Sequence, residues 1–294
     1  MSAEYTEVAA SRSPVRFPLR RRAFAEVLLF SIAALIFGVV QSGAQSTANS
    51  GAQEAADVRH PQARSKQERN DFNAAYALTG AAAVETAANS FAAKYPASEL
   101  RRYLYSSAML QYQRENNPAK MLAMGEQVLE LDPDNPLALV LTATALSDSL
   151  TDRDRDREKK IAAIKRNAAR GIQAAEAGYP GNSGTAPLYK TTLQAMAYSA
   201  LGIMKLKTGD DAGAEKELKT AADLAKVRPD AYIWYHLAIA QDHRKKYTAA
   251  LGSIQQALQL ASSDPELQQL AEVEFERLSG LAKRTGNQSP TEPQ

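Results

Sequence analysis

The apolar positions of this chain follow a helical period, and each apolar run ends at an abrupt break. In VLELDPDNPLA (128–138), apolar residues at helical spacing run into two prolines, each preceded by Asp or Asn. Proline fits the first turn of a helix, where its missing N–H has no partner to lose, and a neighbouring Asp or Asn caps other free amides. The pattern therefore predicts a joint that ends one helix and begins the next.

The same joint recurs along the chain. It returns as LAKVRPDAY (224–232) and LQLASSDPEL (258–267), and in a looser form as FAAKYPASEL (91–100). Between about residues 67 and 284, no segment shows a sustained alternation of period two, which indicates helices and no strands. A recurring joint in an all-helical chain predicts a helical repeat.

The repeat is clearest within residues 195–264. Tyr198 and Gly202 lie on one helix face, the turn TGDD (208–211) follows, and Ala214 lies on the facing side of the next helix. Trp234 takes the place of Tyr198 in the next unit. Small residues at the contact allow two antiparallel helices to approach to about 8–10 Å, so the pattern predicts tightly packed helix pairs.

This arrangement resembles the tetratricopeptide repeat (TPR) family, in which a repeat of about 34 residues forms one antiparallel helix pair. The resemblance is strongest over 195–264 and extends to 102–135, while FAAKYPASEL is similar to a boundary found in repeat proteins of the bacterial envelope. It implies an all-α, right-handed superhelical solenoid of about five helix pairs. Residues 264–284 would form a C-terminal capping helix that covers the last exposed apolar face.

The N-terminus has the organisation of an export signal. Arginines at 16 and 20–22 precede an apolar run from Val27 to Val40, and Ser42 and Ala44 are spaced like a peptidase site that cuts after Ala44. A helix of 14 residues reaches about 21 Å, short of the ~30 Å hydrocarbon core. We expect a cleaved signal; the alternatives are an uncleaved anchor helix at residues 23–40 and a buried core helix.

These features divide the chain into four segments. Residues 1–44 are a signal peptide or membrane anchor, and residues 45–66 are a flexible linker because they lack an apolar period. Residues 67–284 are the repeat domain, and residues 285–294 are a disordered tail. The expected location is the periplasm or the exterior, or the inner membrane if residues 23–40 remain as an anchor.

Composition excludes several kinds of function. Lys and Arg number 35 against 33 Asp and Glu, and this near-neutrality argues against nucleic acid as a main ligand. Cysteine is absent, which excludes disulfides, thiolate metal sites and cysteine nucleophiles. DRDRDRE (152–158) lacks the glycine and final acid of a calcium loop, and His60, His236 and His243 lack a metal-binding pattern. We predict no catalytic residue, metal or cofactor; an enzyme whose groups meet only in space is the alternative.

The TPR resemblance also implies where a partner would bind. In the family, ligand contacts tend to come from positions 2, 5, 9, 12 and 13 of the first helix of each repeat, which lines a concave groove. In this chain those positions are apolar and aromatic with a few basic groups. The partner-binding residues that we select are Tyr103, Arg114, Lys207, Tyr232, Tyr235 and His243.

The family's carboxylate clamp, which holds a chaperone tail, requires Lys at position 5 and Asn at position 9. Here these positions hold Ser106, Ser199 and Tyr235, and Leu110, Ile203 and Ile239. The resemblance therefore implies a different protein or peptide partner.

We hypothesise that Tyr232 and Tyr235, supported by Arg114 and Lys207, grip an extended or helical peptide, since Tyr and Arg are enriched at binding hot spots. The alternative is that the two tyrosines pack between repeats. The function that we expect is an exported scaffold for protein–protein interaction in the bacterial envelope, touching the membrane only through an uncleaved N-terminus. Self-assembly into a homo-oligomer, or an accessory role in an envelope enzyme complex, are the other possibilities.

Overall fold

The computed structural model describes residues 62–177 and 186–286, and within these ranges the chain forms helices and no strands. The helices are α1 (Lys66–Tyr76), α2 (Ala81–Lys94), α3 (Arg101–Arg114), α4 (Pro118–Leu131), α5 (Pro136–Ser149), α6 (Arg157–Glu176), α7 (Ala186–Lys207), α8 (Asp211–Leu224), α9 (Ala231–His243), α10 (Tyr247–Leu260) and α11 (Pro265–Gly286). Consecutive helices pack against each other as five pairs followed by one closing helix. The all-α solenoid predicted from the sequence is confirmed in this part of the chain.

Several predicted segments lie outside the described residues. They are the signal or anchor (1–44), most of the linker (45–61) and the end of the tail (287–294). Residues 178–185 of the repeat domain also lie outside them. Among the helices that the structure describes, none has the length and apolarity to cross a membrane.

The joints between pairs are capped as their sequences predict. Asn135 Oδ1 accepts a hydrogen bond from the backbone N–H of Ala138 at 3.0 Å, and Asp264 Oδ1 accepts one from Leu267 at 3.1 Å. Pro136 occupies the first turn of α5. Each cap satisfies an amide that has no partner within its helix, so the joint fixes where the next pair begins.

The turn inside a pair is also a repeated structure. In three of the pairs a residue with positive φ lies two residues before the start of the second helix: Asn116 (55°), Gly209 (83°) and Lys245 (58°). In each of these turns, the following residue donates a backbone hydrogen bond of 2.9 Å to the carbonyl five residues earlier. This helix ending requires a left-handed residue, which the fourth pair supplies with Gly209. In the first pair, the residue with positive φ is Gly80 (89°), which lies directly before α2.

Small residues bring the helices of a pair together. A Cβ placed on Gly202 of α7 would lie 2.5 Å from Cγ of Leu218 in α8. Between pairs, a Cβ on Gly125 of α4 would lie 2.6 Å from Cγ2 of Thr142 in α5. These glycines are therefore contact points of the stack, as the sequence predicts for Gly202.

The closing helix covers the last pair. Leu267, Ala271 and Leu278 of α11 are fully buried, and they belong to one apolar cluster with Ile254 of α10 and Tyr235 of α9. An end repeat without such cover would expose its apolar face to water. The predicted capping role of residues 264–284 is thus confirmed by these contacts.

The third pair and the start of the fourth lie outside the part of the chain where the repeat is clearest. Helix α6 begins at Arg157, and the bonds between Thr151 and Asp154 (2.9 and 3.0 Å) close a turn ahead of it. Helix α7 begins at Ala186, before the clear repeat. This extension packs because Leu193 is buried and the Gln194 side chain donates to Glu176 Oε1 at 2.6 Å.

Candidate interaction surface

The six selected residues lie on three of the first helices. Tyr103 and Arg114 belong to α3, Lys207 ends α7, and Tyr232, Tyr235 and His243 belong to α9. On α3, α7 and α9 we number the positions so that the turn residue with positive φ (Asn116, Gly209 or Lys245) is position 15. Positions 2, 5, 9, 12 and 13 of these three helices are called the inner face.

The α3 part of the inner face is accessible. Arg114 is exposed at the end of the helix, and Tyr103 is half-buried. The Arg102 guanidinium lies 5.1 Å from the centre of the Tyr103 ring, and its Nη1 lies 3.4 Å from Asp132 Oδ2. This cation–π contact orients the tyrosine ring, so α3 presents a fixed aromatic group beside an exposed cation.

The tyrosines of α9 are not open to solvent. Tyr232 is 3% exposed and Tyr235 is 1% exposed. The Tyr232 hydroxyl donates to Asp264 Oδ2 at 2.8 Å, which ties α9 to the joint before α11. Burial raises the pKa of the Tyr235 hydroxyl, which titrates beside Glu274 and Arg277 of α11. Both tyrosines are thus buried, and the contact between Tyr232 and Asp264 is of the kind that the alternative, packing between repeats, expects. The hypothesis that the two tyrosines grip a peptide stays a prediction.

Lys207 and His243 tie neighbouring pairs together. Lys207 Nζ donates to the backbone carbonyl of Asp148 at 2.6 Å, which links α7 to the end of α5. His243 Nδ1 lies 2.8 Å from Asp211 Oδ1 at the start of α8, and its side chain is only 10% exposed. Both side chains thus have structural contacts at the positions where the sequence predicts binding, and their binding role stays a prediction.

The inner face changes character along the stack. At position 2, Tyr103 of α3 is half-buried, whereas Met196 of α7 and Tyr232 of α9 are 1% and 3% exposed. At position 13, Arg114 of α3 is exposed, and the residues of α7 and α9 are half-buried. The accessible part of the inner face therefore lies on α3.

An ion pair that connects successive repeats is missed by the sequence analysis. Glu85 Oε1 lies 2.8 Å from Lys120 Nζ, and Glu85 also accepts a hydrogen bond from the Tyr112 hydroxyl. Glu215, at the same place in α8, pairs with Lys246, the residue before α10, at 2.9 Å. Both glutamates stand four residues after the start of a second helix, a spacing that the sequence contains. The Lys120 ammonium holds the pKa of Glu85 below its usual value.

The polar groups of the described chain do not form a metal cluster. No group of three or more His, Asp or Glu is placed to hold a metal ion among residues 62–177 and 186–286. His236 is buried, and its Nδ1 lies 2.7 Å from the carbonyl oxygen of Tyr232. That contact is internal to α9, as expected for a packing residue.

Comparison with known proteins finds similar folds only among solved structures. No protein family and no curated protein matches the sequence. TTC0263, a thermophilic TPR protein of Thermus thermophilus, is 18% identical with a TM-score of 0.44, over 72% of this chain and 98% of that chain. The MamA RS-1 ArsTM double mutant is 15% identical with a TM-score of 0.35, over 63% and 96%. Both TM-scores lie below 0.5, so the architecture stated here rests on contacts within this chain.

Those contacts define an all-α solenoid of TPR type. Paired helices meet at Gly202 and Leu218, the turns repeat at Asn116, Gly209 and Lys245, and a closing helix covers the last pair. The resemblance to the TPR family is thus confirmed at the level of the fold.

Proposed function

We propose that this protein is an interaction scaffold that binds a segment of a protein partner at the accessible part of its inner face, on α3, and at the neighbouring exposed surface of the first pair. The observation that carries this proposal is the exposed Arg114 and half-buried Tyr103 of α3, together with Leu78 in the turn after α1, which is 42% exposed. The Gln111 side chain of α3 donates to the Leu78 carbonyl at 3.4 Å, so this turn lies beside α3. An aromatic ring, a cation and apolar area within one concave surface are the usual components of a peptide-binding hot spot.

We also propose that the scaffold acts in the bacterial envelope. The support is the arginine-flanked apolar run from Val27 to Val40. Mass spectrometry of the protein isolated from its native cells, after separation into cytoplasm, periplasm and membrane, tests this location. Recovery in the cytoplasmic fraction alone would reject it.

The binding proposal is tested by co-purification from native cells. Arg114→Glu reverses the one exposed charge of the selected site, and Tyr103→Ala removes its ring. Lys216→Glu makes the same charge change on an exposed position of the second helix α8 and serves as the matched control. Circular dichroism first establishes that all variants remain helical.

The expected result is that the α3 variants lose a discrete partner that both the wild type and Lys216→Glu retain. An equal yield of that partner from all variants would reject the α3 surface. If the only recovered protein is the chain itself, and light scattering shows an oligomer, the self-assembly alternative replaces this proposal.

A further inference from the structure

The segment DRDRDRE (152–158), which leads into helix α6, alternates acids and bases in sequence but separates them in space. Each of its four carboxylates lies within 4.0 Å of one of two cations, whose own side chains are only 25% and 23% exposed. The pairs are Asp152 and Glu158 with Arg157, and Asp154 and Asp156 with Lys160. The acids of this segment are therefore already paired.

The other cations of this segment and of α6 point into solvent. Five of them are exposed, and none makes an ion pair with a carboxylate in the part of the chain that the structure describes. They are Arg153, Arg155, Lys159, Lys165 and Arg166, and we call them the α6 basic patch. Lys159 and Arg166 stand two turns apart on one side of the helix, a distance of about 10 Å. The patch thus has positive charges that no described acid neutralises.

The turn that carries the two arginines of the patch has a fixed shape. The backbone N–H and the hydroxyl of Thr151 donate to Asp154 at 3.0 and 2.9 Å, and Lys160 Nζ lies 2.9 Å from the same carboxylate. The bonds from Thr151 and the Lys160 ammonium lower the pKa of Asp154 from 3.8 to about 2. Arg157 Nη2 donates to the carbonyl of Lys207 at 3.0 Å, which ties the start of α6 to the end of α7. The separation of acids from bases is therefore built into the fold.

The surface of the patch is flat and has no aromatic ring. Exposed Ala162 and Ala169 lie among its cations. The large apolar side chains that are exposed in the described chain belong to other elements: Leu78, Val227 and Val273. Nucleic-acid sites combine cations with aromatic stacking or with an element that enters a groove. A flat array of long cationic side chains instead matches a flat array of anionic lipid headgroups.

The patch lies on the outer side of the stack. The side of α6 that packs into the protein carries Ile161, Ile164 and Ala168, so the exposed cations face away from the core. Helix α6 is the second helix of its pair, whereas the accessible inner face belongs to the first helix α3. A surface bound to the patch therefore leaves α3 open.

We propose that the α6 basic patch binds the phosphate headgroups of an anionic lipid membrane. This inference goes beyond the proposed function, because it assigns a second surface with a different ligand. It also differs from the N-terminal membrane contact expected from the sequence, since it uses no residue before Arg153. The protein then lies with its outer side on the membrane and presents its inner face to a partner.

Fluorescent labels at two positions of the purified full-length protein test this contact. Because the chain lacks cysteine, a single introduced cysteine can be labelled. Ala162→Cys places the label within the patch, and Ala249→Cys places it at an exposed position of α10. The vesicles carry a quencher on their headgroups and consist of phosphatidylcholine, alone or with about one-third phosphatidylglycerol. Comparison of the two labels separates contact through the patch from attachment through the N-terminus.

We expect anionic vesicles to quench the label at 162 and not the label at 249, and neutral vesicles to quench neither. Lys165→Gln with Arg166→Gln should lower the ratio of quenched to unquenched label at 162 by about 30-fold, since each cation beside an anionic membrane contributes roughly a factor of five. The matched control is Lys283→Gln with Arg284→Gln, the same two residue types at exposed positions of α11. It should leave the ratio unchanged.

Equal quenching at 162 by neutral and anionic vesicles, or an unchanged ratio in the Lys165→Gln, Arg166→Gln variant, would overturn the proposal. Recovery of the fluorescence when inorganic phosphate is added at the same phosphate concentration would also overturn it, because the site would then bind free anions. Preference for duplex DNA over the vesicles would do so as well. No protein partner is present in this assay, so its failure leaves the α3 proposal intact, and the reverse also holds.

Discussion

The contact between Gly202 and Leu218 predicts how a substitution between helices α7 and α8 changes the stability of the protein. In Gly202→Ala, the new Cβ would stand 2.5 Å from Leu218 Cγ and 3.0 Å from its Cδ2. Leu218 has no exposed surface, so its side chain cannot turn toward solvent. Overpacking of this kind lowers the free energy of unfolding by about 1–3 kcal/mol. Replacing a helical glycine by alanine, by itself, raises it by about 0.5–1 kcal/mol. The free energy of unfolding should therefore fall by roughly 1 kcal/mol, the difference between the middles of these two ranges.

Gly252 provides the matched control for this substitution. It lies in the middle of α10 and is exposed, and a Cβ added to it would meet no atom within 4 Å beyond the backbone of its own helix. Gly252→Ala should therefore raise the free energy of unfolding by about 0.5–1 kcal/mol. The same chemical change then has opposite signs at the two sites.

A double-mutant cycle tests the contact itself. Leu218→Ala alone should cost about 2–5 kcal/mol, but in the Leu218→Ala background the methyl group added at position 202 no longer meets a side chain. The two changes should therefore be non-additive by about 1–2 kcal/mol. Urea unfolding of the full chain, followed by circular dichroism, measures all variants. A Gly202→Ala protein as stable as Gly252→Ala, or a cycle with no coupling, would refute the predicted helix pairing.

Three further predictions rest on other contacts. Lys245→Gly should stabilise the fold by about 1 kcal/mol, because Lys245 holds a φ of 58° that disfavours side chains; an unchanged melting temperature would contradict this. Gly125→Ala should destabilise by about 1–2 kcal/mol through the 2.6 Å approach to Thr142 between two pairs, and thermal melts measure it. The hydrogen bond from Lys94 lowers the pKa of Asp71 from 3.8 to about 2. The ionised Asp71 carboxylate therefore contributes fully to stability above about pH 4, and this contribution is lost as the pH falls toward 2. Unfolding titrations of Asp71→Asn at several pH values should lack this pH dependence.

The parts of the fold that local chemistry determines were predictable from the sequence. The Asn135–Pro136 joint places a cap and a helix start within two residues, and Gly209 supplies the left-handed turn residue. The positions of Gly202 and Ala214 follow from helical spacing. Each of these features involves residues close in the chain, so that a single sequence contains the necessary information.

Features that depend on contacts between repeats were harder to predict from the sequence. Position 5 places Tyr235 on the inner face by register, but only the packed structure shows that it is 1% exposed. Glu85 and Lys120 are 35 residues apart, and their pairing depends on how one hairpin stacks on the next. The early start of α7 depends on Gln194 meeting Glu176 of the preceding helix. Periodicity assigns a residue to a face, whereas burial and pairing depend on the neighbouring element.

The central claim is that the stack presents a protein-binding surface on the first helices. The most direct test is in-cell photo-crosslinking with a probe at Tyr103, on the inner side of α3, compared with the same probe at exposed Lys219 on the second helix α8. The account predicts a discrete adduct with another protein from position 103 and none from position 219. The same adduct from both positions, or an adduct only from position 219, would contradict it.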